Sequence, residues 1–299
     1  MPKAESQVPP PIVLHGSGLA DWAESAMLIE DRKNLSRSTL RQRLRNSAFV
    51  EGDELDVHVD LLLAEITARA SVAPHMYPFR ETSSGVTRDE QVGQAAYEFL
   101  LWLSVSPRYR EERRFDETDQ LFDHLVKQAL TRYLGEGARA VRFAHPSSDG
   151  RPPGFRDAVR WLAGLLNLGV GAAEPRPRRK DGGVDIVAWR PFRDARSGFI
   201  VILCQCTAQQ DWVPKAKDIV VDQWRGWIDF ARDPSTALAI PFAIGSGFDR
   251  WDELRRTVTM VLDRLRLCEL LNPRQLEYLE ELRTWTETER GLLGAVTEQ

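Results

Sequence analysis

At 299 residues, with 42% hydrophobic and 28% charged side chains, the chain is long enough for one large domain or two ordinary ones and has the composition of a folded, water-soluble protein. A formal charge of −4 excludes a histone-like nucleic-acid binder driven by net charge alone, although a local basic patch is compatible with it. Three cysteines cannot all pair, and Cys204 and Cys206 lie in an apolar run, so a reducing, cytoplasmic setting is expected. The opening MPKAESQVPPPIVLHGSG lacks the apolar core of a secretion signal, and no stretch nears the roughly 20 apolar residues of a membrane helix. No membrane partner is therefore expected.

After a proline-rich arm, Leu19, Trp22, Ala23, Ala26 and Met27 recur at helical spacing, as do Val57, Leu61, Leu62, Ile66 and Ala70. His75–Gly85 reads as a loop, and helical periodicity resumes over Val92–Val105 and Leu121–Leu134, the latter stopping at Gly135. The pattern predicts an α-helical N-terminal region over 1–115. Beyond SSDGRPP, helices alternate with strands: a helix from Phe155 to Gly169, a short strand near Val170–Ala173 and a strand at Val184–Trp189. Next come a strand at Phe199–Cys206, a helix around Ala216–Ala231, a strand at Ala237–Ile244 and one long helix over Asp252–Leu267. The expected class is α/β, an α+β-type mixed sheet flanked by helices, spanning 116–272, with a final charged helix in 273–299.

The chemistry-bearing residues sit on two strands. In KDGGVDIVAW, Asp185 interrupts an apolar run, which is costly unless a cation or hydrogen bonds compensate it. In FIVILCQCTAQQDW, Gln205 and Thr207 share one face by the two-residue strand period, and Cys204 and Cys206 share the other, where the thiols have no evident base. Asp181 is either a further ligand or a turn former. Arg176, Arg178, Arg179 and Lys180 form a basic loop just before Asp185, a position suited to contacting phosphates without reading bases. Trp189 and Trp212 are possible stacking surfaces, whereas Trp224 and Trp227, at helical spacing, read as core.

The order of these features, from Gly154-Phe155 through Gly169-Val170 and Asp181–Asp185 to Gln205-Cys206 and IPFAIGSGFDRW, resembles the PD-(D/E)XK nuclease superfamily and within it the Mrr-like restriction endonucleases. The resemblance covers about 120 residues and implies a restriction-endonuclease-like fold and magnesium- or manganese-dependent hydrolysis of DNA phosphodiester bonds. It carries a metal-binding role onto Asp185 and Gln205 and onto an acid of the first helix. Asp157 is preferred for that acid by chain proximity, and Asp123, in Leu121-Phe122-Asp123, is the alternative. Where that family has a lysine, Thr207 stands here; Lys215, in DWVPK, is the candidate to replace it, ahead of Lys217 and Lys180. CTAQQDWVPK is also similar to bacterial proteins of phage-defence neighbourhoods, which implies the effector of an antiviral system, with a homodimer or an ATPase as partner. The competing expectation is a degenerate nuclease fold that binds nucleic acid or assembles without cutting.

Overall fold

The computed structural model describes residues 16–46, 54–89, 95–106, 116–146, 148–175 and 180–297. Among them, no helix is long and apolar enough to cross a membrane. The chain divides into two compact units, one formed by 1–108, 242–248 and 264–299, the other by 109–241 and 249–263.

In the first unit the apolar stripes of α1 (Gly16–Ile29), α3 (Glu54–Val72) and α4 (Ala95–Val105) are buried through Leu19, Met27, Leu62, Ile66, Phe99 and Trp102. Helix α2 spans Arg37–Asn46. The unit is not purely helical: β1 (Asn34–Ser36), β2 (Phe79–Thr82) and β3 (Gly85–Arg88) form an antiparallel sheet in the order β1-β3-β2. The segment expected to be a loop is thus largely a hairpin. Its strands are four residues each, too short for a period-two pattern to stand out from a turn-rich stretch.

A buried ionic network holds this unit. The fully buried Arg69 and Arg264 guanidinium groups meet Asp21 at 2.6 and 2.8 Å, and Arg69 meets the fully buried Glu24 at 2.9 Å. Tyr77 and Tyr97 each donate to Glu24 at 2.7 Å, and Arg264 donates to Ser104 at 2.6 Å. Opposite charges and hydrogen bonds together offset a desolvation cost that either ion alone could not bear. Arg264→Met should therefore cost about 3–5 kcal/mol in a urea melt, because Asp21 loses a two-point partner inside the protein. A loss below about 1 kcal/mol would mean that Arg69 alone neutralises the pair of acids.

Arg264 also explains a boundary. One helix was expected over Asp252–Leu267, and the second domain was expected to end at 272. Instead the helix Trp251–Thr257 stops, Met260–Leu262 forms a strand, and Arg264–Leu270 forms a new helix whose first residue is tied to Asp21 and Ser104. The β-branched run Thr257-Val258-Thr259 and Val261 favour the strand over a continuous helix. The last helix, Leu279–Thr297, belongs to the same unit, with Arg290 donating to Glu98 at 2.6 Å.

The second unit contains α5 (Asp116–Leu134), β4 (Arg139–Arg142), α6 (Phe155–Leu166), β5 (Ile186–Trp189), β6 (Val201–Cys206), α7 (Val221–Trp227), β7 (Ser235–Ala239), α8 (Trp251–Thr257) and β8 (Met260–Leu262). The sheet order is β4-β5-β6-β7-β8, with β4/β5 and β5/β6 antiparallel and β6/β7 and β7/β8 parallel. Alternation along the strands divides the two faces. Val187, Trp189, Val201 and Leu203 join a core with α6, Trp224 and Trp227, while α5 packs on β4, β5 and β6. The expected strand at Val170–Ala173 is reduced to one bridge, Val170 to Ile228. The helix expected over Ala216–Ala231 is a 3-10 turn, Val213–Lys217, followed by the short α7.

Candidate functional site

The DGG turn builds the entrance to β5. Asp181 Oδ1 accepts the Gly183 N–H at 3.0 Å, so Asp181 is a turn former, and the Gly182 carbonyl accepts the Trp224 indole N–H at 3.2 Å. Phe143, Phe155, Trp224 and Trp227 pack edge to face beneath it, with centroids 5.1 to 6.3 Å apart. Trp189 and Trp212 are buried as well, so neither offers a stacking surface.

This turn delivers Asp185 to the point where the β5–β6 ladder ends. One carboxylate oxygen, Oδ2, accepts both the Cys206 N–H and the Gln205 side-chain amide, each at 2.7 Å. The carboxyl thus replaces a main-chain acceptor at the end of the ladder. Gln205 also donates to the Cys206 carbonyl at 3.0 Å, which fixes its amide nitrogen toward Asp185.

Of the two candidate first-helix acids, Asp123 is the one whose charge acts on Asp185. Asp157 lies on the exposed face of α6, 3.6 Å from Arg160, because α6 buries Phe155, Ala158, Val159 and Leu162 and position 157 turns away from all of them. Asp123, on α5, is buried beside the Cys206 thiol. The thiol therefore does have an acid beside it, yet it is no nucleophile: enclosure by the protein, then Cys204, Asp123 and Asp185, push its pKa well up.

Arg142, on β4, was not anticipated. Its Nε donates to Asp123 at 2.7 Å and its Nη1 to the Pro146 carbonyl at 2.7 Å. Desolvation raises the Asp123 carboxyl to about 6 despite Arg142. Asp185 is raised well above the usual carboxylate range, first by desolvation and next by the Asp123 charge. Burial is the first cause in both acids, and Arg142 offsets it only in part.

Thr207 stands where a lysine was sought, but it is buried, and its hydroxyl accepts the Gln209 N–H at 3.2 Å in a local turn. Lys215, on the 3-10 turn, pairs with Asp218 at 3.2 Å and is partly exposed. That turn rests directly on the DGG turn, since the Asp218 backbone and side chain crowd the Cα of Gly183. Lys217 lies 3.8 Å from Glu253. Lys180 is exposed, with its carbonyl accepting Arg151 at 2.5 Å, and Arg176, Arg178 and Arg179 lie outside the described residues.

Among the described residues, no three histidine, cysteine, aspartate or glutamate side chains come together in a way that could hold a metal ion. The donor set here is two carboxyl groups and one amide. Hard oxygen donors of this kind suit magnesium, which is ordinarily held by one or two carboxylates and completes its shell with water and substrate phosphate. As it stands the set does not present three free oxygens: Asp123 is paired with Arg142, Asp185 Oδ2 accepts two N–H groups, and the Gln205 amide turns its nitrogen toward Asp185. Comparison with known proteins gives no matching family model, no matching curated protein and no matching solved structure.

Proposed function

We propose that the five-stranded unit is a magnesium- or manganese-dependent nuclease domain that hydrolyses DNA phosphodiester bonds, with a restriction-endonuclease-like fold. One observation carries this reading: at one end of an antiparallel strand pair, Asp185 accepts the Gln205 amide and feels the charge of Asp123 from α5. The strand directions, two antiparallel pairs followed by two parallel ones, make a mixed sheet flanked by helices, which is compatible with this reading. The setting as an effector of prokaryotic antiviral defence, in the cytoplasm and with a homodimeric or ATPase partner, rests on the sequence resemblance.

In this reading Asp123 and Asp185 hold the cation, which would polarise the scissile phosphate and supply a water of lowered pKa. Gln205 fixes the rotamer of Asp185 by its hydrogen bond, and Lys215 supplies the positive charge that Thr207 cannot. Lys215→Met should then lower plasmid nicking about 100-fold at unchanged DNA affinity, the scale of losing one charge-stabilising donor. Full activity in that variant would remove Lys215 from the chemistry. Asp123→Asn should abolish nicking while Asp157→Asn, on the exposed face of α6, leaves it intact; the opposite pair of results would overturn the assignment of the first-helix acid.

A second reading, a degenerate fold that binds nucleic acid or assembles without cutting, is favoured by the occupied state of Asp123 and by the uncharged Thr207. Salt-dependent DNA binding with no nicking under any divalent cation would select it.

A further inference from the structure

A cavity of about 580 Å³ opens in the second unit at the end of the sheet away from Asp185. Strands β5 and β6 pair Trp189 with Val201 at this end and Ile186 with Cys204 at the other, so roughly 15 Å of strand separates the two places. The cavity forms where α5 and α6 have ended, β5 leaves the sheet and β6 and β7 enter it. Leu168, Phe199 and Phe230 line it, and so do Phe192 and Ile200, which are 62% and 60% exposed. Large apolar side chains left open to solvent around a concavity mark a place where something binds. The volume is that of a small-molecule site, which is ordinarily apolar with a few placed polar groups.

Charge says what kind of molecule it suits. Arg190 and Arg232 also line the cavity, whereas the acid among its lining residues, Asp233, is met by Arg225 at 3.2 Å. The Arg190 Nε donates to the Glu136 carbonyl at 3.0 Å, which steadies its guanidinium. Among the described residues, neither Arg190 nor Arg232 meets a carboxylate. An arginine stays charged at every accessible pH and presents parallel N–H groups that match a carboxylate in two-point geometry. A nucleobase suits the walls less well, because its hydrogen-bonding edge would lie against leucine and phenylalanine side chains.

We propose that this cavity binds a small organic acid with an apolar body, a medium-chain or aromatic carboxylate, whose body lies on Leu168, Phe199 and Phe230 and whose acid group meets Arg190 and Arg232. It is a second site, and it stands apart from the nuclease reading, whose residues lie at the other ends of the same two strands.

The test is calorimetric titration of the full chain with sodium octanoate, set against octanol, which has the same chain and no charge. Octanoate should bind at a single site, and octanol at least about tenfold more weakly. Arg190→Gln combined with Arg232→Gln should lose that advantage while octanol binding stays as it was; both arginines are exposed, so the melting temperature should hold. Ile200→Asp, which sets a like charge at the mouth, should weaken octanoate as well. No octanoate binding, equal affinity for octanol, or full affinity in the double variant would each overturn the proposal. Adenosine monophosphate that expels octanoate would give the cavity to a nucleotide instead. A dimer in sedimentation that Ile200→Asp splits would show that a second copy of the chain covers it. Should the double variant fail to fold, octanoate against octanol on the wild type decides.

Discussion

Replacing Asp185 with asparagine should abolish cation-stimulated nicking, by about 100-fold or more, while leaving the protein at least as stable as the wild type. Both hydrogen bonds to this side chain, from Cys206 and Gln205, end on Oδ2, so an asparagine carbonyl oxygen can accept both. What is lost is the charge alone. That charge is a burden to the empty fold, since desolvation and the nearby Asp123 hold the Asp185 pKa well above the usual carboxylate range.

The sign of the pH effect follows. An acid whose folded-state pKa is raised binds its proton more tightly in the native state than in the unfolded chain, so stability falls as pH rises above the unfolded value near about 4. Asp123, raised to about 6, acts in the same direction. The variant and the wild type should melt together near about pH 4 and diverge above it, with the asparagine protein ahead by about 1–2 kcal/mol at the alkaline end. Unchanged nicking would end the nuclease reading. A variant that is much less stable at alkaline pH would show instead that the carboxylate is a strand-end cap.

Asp185 and Gln205 are legible because each interrupts, at one end of a strand, an apolar run long enough to reveal the break. For the first-helix acid, preferring the nearer helix points to the exposed Asp157, whereas the helical period separates it from the buried Asp123. Two residues after the buried Phe155, position 157 is rotated about 200° away from the core, whereas Asp123 sits three residues before the buried Val126 and shares its face. Arg142 carried no comparable signal. Its strand, Arg139–Arg142, has two apolar residues in four, and only pairing with β5 in the folded chain makes it a strand. The break at Val258 and the transfer of Arg264 to the first unit depend on a partner, Asp21, that lies 243 residues earlier. Local pattern carries no trace of a contact at that separation.

Gly183→Ala should be strongly damaging to the second unit, lowering its melting temperature by roughly 10 °C, from about 3–4 kcal/mol at about 2–4 °C per kcal/mol. Two costs combine. Gly183 has φ of +79°, a conformation that costs a non-glycine residue about 1–2 kcal/mol. Its added methyl would also collide with the Asp218 carbonyl oxygen and come within 2.8 Å of the carbonyl carbon, and both atoms are backbone, which cannot rotate aside. Gly198 separates the two terms, because it has φ of +98° with nothing within 4 Å of the added methyl. Gly198→Ala should show the conformational cost alone. The excess in Gly183→Ala then measures how firmly the Lys215 turn is seated against the DGG turn, and nicking should fall together with stability, unlike in the Asp185 variant. If the two alanine variants melt alike, the DGG turn does not bear on the Asp218 backbone, and Lys215 loses its route to the site.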